Sequence, residues 1–208
     1  TDGYERYELL DGKKGIILLS CWAHARRKFS DAIKNDRERA ESALEQIQLL
    51  YEVERQIKDQ ALCFEEAAKL RVRLAYPIMV RFEKWLVAEH AKVIKGSPIE
   101  KAILYTYNRF NKLSRYHLDG RYNIDNNGIE NAARPVAVGR KNYLFCQNDD
   151  TAESTAIIYS FMGCCKAAKV NFRTWMIYFL DHVHDYDQDY TRDIAELLPD
   201  NLKDAGVL

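Results

Sequence analysis

Two stretches of this 208-residue chain concentrate side chains able to do chemistry. The first is Cys21-Trp-Ala-His24-Ala-Arg26-Arg27-Lys28-Phe29. Cys21 and His24, three apart on a helix, could be half of a zinc site. No second pair at ligand spacing follows, so a buried thiol beside a locally hydrogen-bonded histidine is the plainer reading. Arg26, Arg27 and Lys28 are by default a solvated helix face. Their sharper use is phosphate contact, because guanidinium groups pair bidentately with phosphate oxygens. The second stretch runs from Ile124-Asp125-Asn126-Asn127-Gly128-Ile-Glu130 through Arg134 to Arg140 and Lys141. Asp125, Asn126 and Asn127 are capping residues that predict a helix from near Asn127. Glu130 then falls in its first turn, where the positive end of the helix favours a carboxylate and suits it to bind a metal. Arg134, Arg140 and Lys141 could grip a phosphate backbone, although Gly139-Arg-Lys-Asn142 also reads as an ordinary basic turn. Asp2 is another carboxylate of interest, which spacing alone does not pair with Glu130.

A third group is Asp181-His182-Val-His184-Asp185-Tyr-Asp187-Gln-Asp189. A His/Asp run is metal chemistry on paper. It lacks the i, i+4 histidine pair of a helical metal motif and sits in an acidic stretch, so it reads as solvated surface. A metal-dependent small-molecule hydrolase built on His182 and His184 therefore ranks last among the functional readings.

The elements that must position these residues are mostly helical. Lys14 to Ser20 is a short, β-branched apolar run and predicts a buried strand. Trp22, Ala25, Phe29, Ala32 and Ile33 then recur at helical spacing. From Arg39 to Val93 the pattern stays helical: Leu44, Ile47, Tyr51 and Ile57 mark one stripe, Pro77 breaks the run, and Ile78, Phe82, Trp85, Leu86 and Val93 mark the next. Ser97 and Glu100 form an S-x-x-E capping box with Pro98 at the first helical position. Ile99, Ile103, Phe110 and Leu113 belong to the helix that follows, and Asp119-Gly120 predicts a turn. Pro135 is expected to kink or end the helix of Glu130. Another helix is expected over about Thr151 to Lys169, with Ile157, Ile158, Phe161, Cys164 and Cys165 inward. A further one spans Phe172 to about His182, followed by an acidic loop and a short closing helix around Asp193 to Leu198.

Composition sets outer limits. With 47% hydrophobic and 30% charged residues, nine glycines and four prolines, the chain is neither disordered nor fibrous. Five cysteines, two of them adjacent and none in a CxxC pair, read as buried thiols in a reducing compartment. Lys plus Arg and Asp plus Glu both number 31, a balance unlike that of a dedicated nucleic-acid binder. The charge is nonetheless segregated: His24 to Arg39 carries six basic residues against three acidic, and Arg109 to Lys141 seven against three. Asp181 to Asp204 carries two basic against eight acidic, so a local basic groove stays possible. No apolar run is long enough to span a bilayer, and the opening at Thr1, without Met or a leader pattern, reads as a cut within a longer protein.

The Cys21–Phe29 block and the run Ile124-Asp-Asn-Asn-Gly-Ile-Glu-Asn-Ala-Ala-Arg-Pro-Val-Ala-Val-Gly-Arg-Lys-Asn-Tyr-Leu-Phe145 resemble the signature blocks of the insertion-sequence-sixty-six transposase family. Thr1-Asp2-Gly3-Tyr4 resembles a third block, and Glu196-Leu-Leu-Pro199 the C-terminal close. The resemblance implies an α+β, mostly helical fold: a partial ribonuclease H-like core with a truncated sheet and a long helical insertion. Residues 1–35 would belong to that core, 36–116 to the insertion, 117–185 to the catalytic Glu helix and further core helices, and 186–208 to a tail. It implies an Asp-Asp-Glu polynucleotidyl transferase, with the second Asp on Asp2 and the Glu on Glu130, both metal ligands. Cys21, His24, Asp125, Asn126 and Asn127 would support them, and Arg26, Arg27, Lys28, Arg134, Arg140 and Lys141 would contact DNA. The implied cofactors are two Mg²⁺ (or Mn²⁺) ions. The implied partners are transposon ends and target DNA, further copies of the protein and accessory proteins encoded by the element, in the bacterial cytoplasm and on the nucleoid. The family's first Asp lies upstream of Thr1, so this segment alone is expected to be inactive. A DNA-binding or assembly module without chemistry is the alternative.

Overall fold

The computed structural model describes Thr1 and residues 5–143, 146–188 and 191–208. The chain forms two compact units, Thr1–Gly128 and Ile129–Leu208. In the first, a short helix α1 (Glu5–Glu8) precedes α2 (Trp22–Ala32), α3 (Arg37–Asp59) and α4 (Phe64–Leu70). One π turn, Arg71–Ala75, leads into α5 (Tyr76–His90). Then come α6 (Pro98–Asn108), α7 (Phe110–Ser114) and a 3-10 turn, Arg115–Leu118. The α2 stripe is as its spacing predicts: Trp22, Ala25, Phe29 and Ala32 are fully buried. They pack among Ala40, Ala43, Ile47 and Leu50 of α3, Phe82 and Leu86 of α5, and Ile103 of α6. Trp22 is the hub. Its ring lies 6.0 Å from Phe82 and 6.1 Å edge-on to Phe110, and its Nε1 donates to the Leu113 carbonyl at 2.8 Å. A buried indole of this kind contributes about 1.5–3 kcal/mol through its area alone.

Several boundaries differ from the sequence reading. The buried stripe of α3 is centred on Ala43, Ile47, Leu50 and Val53, with Leu44, Tyr51 and Ile57 half-buried at its margin. Pro77 ends nothing. It lies in the first turn of α5, and the π turn ahead of it closes through Tyr76 N–H donating to the Arg71 carbonyl. The predicted capping box at Ser97 is present in shifted form: Ser97 Oγ accepts from Glu100 N at 3.3 Å, while Glu100 reaches back to Gly96 N at 3.1 Å. Ile99 and Ile103 lie on α6 but Phe110 and Leu113 on α7, because the chain breaks at Arg109.

Lys14–Ser20 forms no strand, and no strand occurs among the described residues. Leu18 is buried, but Ile16 and Ile17 are 41% and 54% exposed. The physical reason is that no continuous neighbour runs beside it among the described residues. Ser20 N donates to Lys112 O (3.2 Å), Cys21 N to Thr1 O (3.0 Å) and Trp22 N to Ile124 O (3.1 Å), three different segments. Thr1 N donates in turn to Leu19 O at 2.7 Å. Thr1 is thus bonded to both neighbours of Ser20, which is one rung of parallel pairing.

The second unit takes in most of α8 (Asn127–Tyr143), then α9 (Asp149–Ala168), α10 (Phe172–Gln188), a 3-10 turn (Ile194–Leu197) and α11 (Pro199–Asp204). Its core is small. Cys165, Trp175 and Leu202 are buried, Phe161 stacks on Trp175 at 4.8 Å, and Trp175 Nε1 donates to Leu197 O at 2.8 Å. Of the α9 residues expected inward, only Phe161 and Cys165 face this core. Ile157 and Ile158 are about half exposed and Cys164 is exposed. Pro135 does not end α8, which runs through it with every side chain from Asn127 to Val138 exposed. The carbonyl it deprives of a donor can therefore bond to water. Helix α10 continues past His182 to Gln188, where a loop was expected.

Candidate functional site

Segments far apart in sequence meet at the start of α2. Cys21 caps that helix with extended backbone. Its N–H bonds to Thr1, and the next N–H, of Trp22, bonds to Ile124. Three of the sequence blocks singled out above therefore touch through main-chain hydrogen bonds within two residues of one another. Burial of Cys21, Trp22 and Ile124 fixes the junction against the hydrophobic core.

Immediately after Ile124, Asp125 organises the entry to α8. Its Oδ1 accepts from Asn127 N at 3.1 Å, and its Oδ2 accepts from Asn127 Nδ2 and from the Tyr51 hydroxyl, both at 2.9 Å. Tyr51 comes from α3, 74 residues away in sequence. Burial and the Asp125 carboxylate hold the Tyr51 hydroxyl protonated well above the usual phenol range. Beside it opens a pocket of about 310 Å³ lined by Ala23, Arg26, Gln48, Tyr51, Arg55 and Asn127. Among the described residues no carboxylate lines it. The sequence reading found Arg26 and Asn127 but missed Gln48, Tyr51 and Arg55. Their signal was their i, i+3, i+7 spacing, which puts them on one face of α3.

The remaining expected residues fall in several places. His24 is half-buried on α2, and Arg26, Arg27 and Lys28 are exposed as a solvated face should be. They do not form one stripe, because residues two apart on a helix point about 200° apart. Arg26 lines the pocket beside α3, whereas Lys28 Nζ lies 5.5 Å from the ring of Tyr105 on α6, which also carries the Arg109 guanidinium at 4.3 Å. Asn126 is half-buried ahead of α8. Glu130 is exposed in the first turn of α8, with Arg134 one turn on. Arg140 and Lys141 lie in the last turn of that helix, and not in a basic turn. At 100° per residue, Glu130, Arg134 and Lys141 share a face within about 40°, while Arg140 points elsewhere. Arg140 lines a larger groove of about 740 Å³ between α8 and α9, otherwise walled by small, apolar and hydroxyl side chains such as Val136, Ala156, Tyr159 and Gly163. That groove has the volume for a ligand but, among the described residues, a single charged lining group, so the smaller polar pocket is the better place for an anion. Asp2 lies outside the described residues.

Among the described residues, no three His, Cys, Asp or Glu side chains converge as a metal site. His182 is instead engaged within α10, its Nδ1 bonded to the Tyr178 carbonyl at 2.8 Å and its ring stacked on Tyr178 at 3.9 Å. Glu130 offers an exposed carboxylate, the oxygen donor a hard divalent ion prefers, so its type and placement fit such a ligand. Among the described residues no helix is long and apolar enough to cross a membrane.

Comparison with known proteins decides the family. The description Transposase IS66 family matches residues 1–154, which include all three converging blocks. The chain belongs to this transposase family. Similar proteins include three from Sinorhizobium fredii. The uncharacterized protein y4hP is 31% identical over 204 residues, covering 92% of this chain and 36% of the relative. The uncharacterized proteins y4jD and y4qI are 29% and 30% identical, covering 98% and 100% of this chain and 40% and 39% of the relatives. The chain thus spans about two fifths of the length of these relatives. No solved structure matches it significantly. In this IS66 transposase segment Glu130 lies on α8, and Tyr51 of α3 and Trp22 of α2 bond to Asp125 and Ile124 just ahead of that helix.

Proposed function

We propose that this chain is part of the catalytic region of a DNA transposase that cleaves phosphodiesters and joins strands through an Asp-Asp-Glu carboxylate set. The observation that carries the reading is the meeting of Thr1, Cys21–Trp22 and Ile124, which stand in three separate blocks of the family match. The parallel rung between Thr1 and the neighbours of Ser20 is the pairing expected where two parallel strands of a ribonuclease H-like sheet adjoin, and supports that architecture. Residues 36–116 would be an insertion whose helices complete the core around α2.

In this reading Asp2 and Glu130 hold divalent cations, Mg²⁺ or Mn²⁺. When bound, these supply charge neutralisation at the phosphoryl oxygens and a deprotonated nucleophile. Asp125 and Asn127 set the first turn of α8 and so orient Glu130. Arg26, Arg27, Lys28, Arg134, Arg140 and Lys141 position DNA by its phosphates without reading its bases. Cys21 and His24 support the start of α2. Transposon ends and target DNA are the substrates, handled by an assembly of several copies with accessory proteins. The test is strand cleavage of end-containing DNA by the full-length protein. Glu130→Gln should lower the rate at least about 100-fold, since a metal ligand carries several kcal/mol of transition-state stabilisation, while DNA binding persists. Undiminished cleavage by the variant would remove Glu130 from the site.

A second reading, an assembly module without chemistry, has one observation in its favour. Ile129, Val138, Ile157, Ile158 and Met162 of the second unit are 40–75% exposed, a large apolar surface for one small unit. Wild-type protein that binds DNA but never cleaves it, in any divalent metal, would favour this reading.

A further inference from the structure

We propose that the pocket between α2 and α3 is a DNA-phosphate site in which Arg55, Gln48 and Tyr51 of α3 join Arg26 of α2. The inference rests on the reading of the chain as a DNA transposase, and adds to it a contact supplied by the helical insertion. Arg26, Gln48, Tyr51, Arg55 and Asn127 make five of its six lining residues polar, two of them carrying guanidinium groups. A planar guanidinium fork matches a phosphate bidentately, and two of them at one open pocket match a single backbone phosphate from two sides.

The charges are available. Among the described residues Arg26 makes no ion pair. Arg55 has one, with Glu52 at 3.2 Å, and both side chains are more than two-fifths exposed. Such a solvated pair is worth little and yields readily to a phosphate. The Asp125 carboxylate beside it is already occupied by Tyr51 and Asn127, and does not line the pocket. The Tyr51 hydroxyl and Asn127 are in turn fixed by Asp125, so two walls of the site are set before any ligand arrives. Preorganisation of this kind lowers the ordering cost of binding. The pocket is open to solvent, suited to a polymer running past it and not to an enclosed small molecule.

The experiment is fluorescence anisotropy of a labelled 30-base-pair duplex of arbitrary sequence with the 208-residue chain, over a series of salt concentrations. Arg26→Ala/Arg55→Ala should weaken binding about 10-fold at low salt, the loss expected for charge-assisted bonds to one phosphate. It should also reduce the slope of log K against log salt by about 0.9. Arg81→Ala/Lys84→Ala removes the same two charges from exposed positions on α5 and should change affinity less than twofold, at an unchanged slope. In parallel, the arginine Nε–H signals of Arg26 and Arg55 are followed by NMR on titration with a single-stranded pentanucleotide. Saturable shifts of both signals that the Arg81 and Lys84 variant retains support the site. Duplex binding that the pocket and control variants alter equally overturns the phosphate site and leaves the transposase reading intact. Saturable shifts without duplex binding support the pocket and count against DNA handling by this chain. Silence in both assays overturns both.

Discussion

Arg71 offers the sharpest test of what holds the first unit together. It is 3% exposed, at the first position of the π turn. Its Nε and Nη2 donate to the two carboxylate oxygens of Glu54 at 2.9 and 2.7 Å, and its Nη1 donates to the Tyr116 and Asp119 carbonyls, both at 3.0 Å. One side chain thereby ties α3 to the segment that leads into Asp125 and α8. Replacement by methionine keeps much of the volume but strands the Glu54 carboxylate and two carbonyls. Breaking a buried ion pair from one side costs about 3–5 kcal/mol. Glu54 keeps 18% of its side chain exposed, so water replaces part of what is lost and the lower end applies, about 3 kcal/mol. At about 2–4 °C per kcal/mol for a chain of this size, the midpoint should fall by roughly 6–12 °C. Urea and thermal melts of Arg71→Met, Glu54→Leu and the double variant measure it. The double should recover at least half of the loss of Arg71→Met, because it leaves no charge behind. A single-variant loss below about 1 kcal/mol, or a double variant as unstable as the two singles summed, would refute the reasoning.

Three further predictions concern backbone space and acid. At Gly120 a Cβ would overlap the backbone carbonyl of Phe64, which has no flexible end to move aside, so Gly120→Ala should destabilise by about 3 kcal/mol in urea melts. Gly163, in α9 with open space around it, should by contrast gain about 1 kcal/mol as alanine. Asp119 is held down to a pKa of about 2, first by side-chain hydrogen bonds from Arg121 and then by the Arg121 backbone N–H. A carboxyl whose folded value is depressed contributes its stability above its unfolded value, near 3.8, and loses it as pH falls toward about 2. Melts from pH 5 to pH 2 should therefore fall less steeply for Asp119→Asn than for the wild-type chain.

The sequence by itself determined what depends on near neighbours. The α2 stripe of Trp22, Ala25, Phe29 and Ala32 came from helical periodicity, the start of α6 from Ser97 and Pro98, and the start of α8 from the Asp125–Asn127 capping cluster. Two blocks some hundred residues apart were enough to give the family, since side-chain identity carries that signal without any geometry. Local pattern failed where a partner decides the outcome. Lys14–Ser20 has strand composition, but a strand exists only through its neighbours, and among the described residues its C-terminal end bonds to scattered groups, Thr1 and Lys112, and to no continuous strand. Helix α9 is apolar on more than one side, so periodicity could not say that Phe161 and Cys165 would face the core while Ile157 and Ile158 stay in water. Arg71 carried no local mark of importance, and the helical spacing of Tyr51 and Arg55 gave them a shared face but no partner. Their roles come from Glu54, Asp125 and Arg26, between 17 and 74 residues away in sequence where hydrogen bonds join them, and only packing the helices around Trp22 sets those distances.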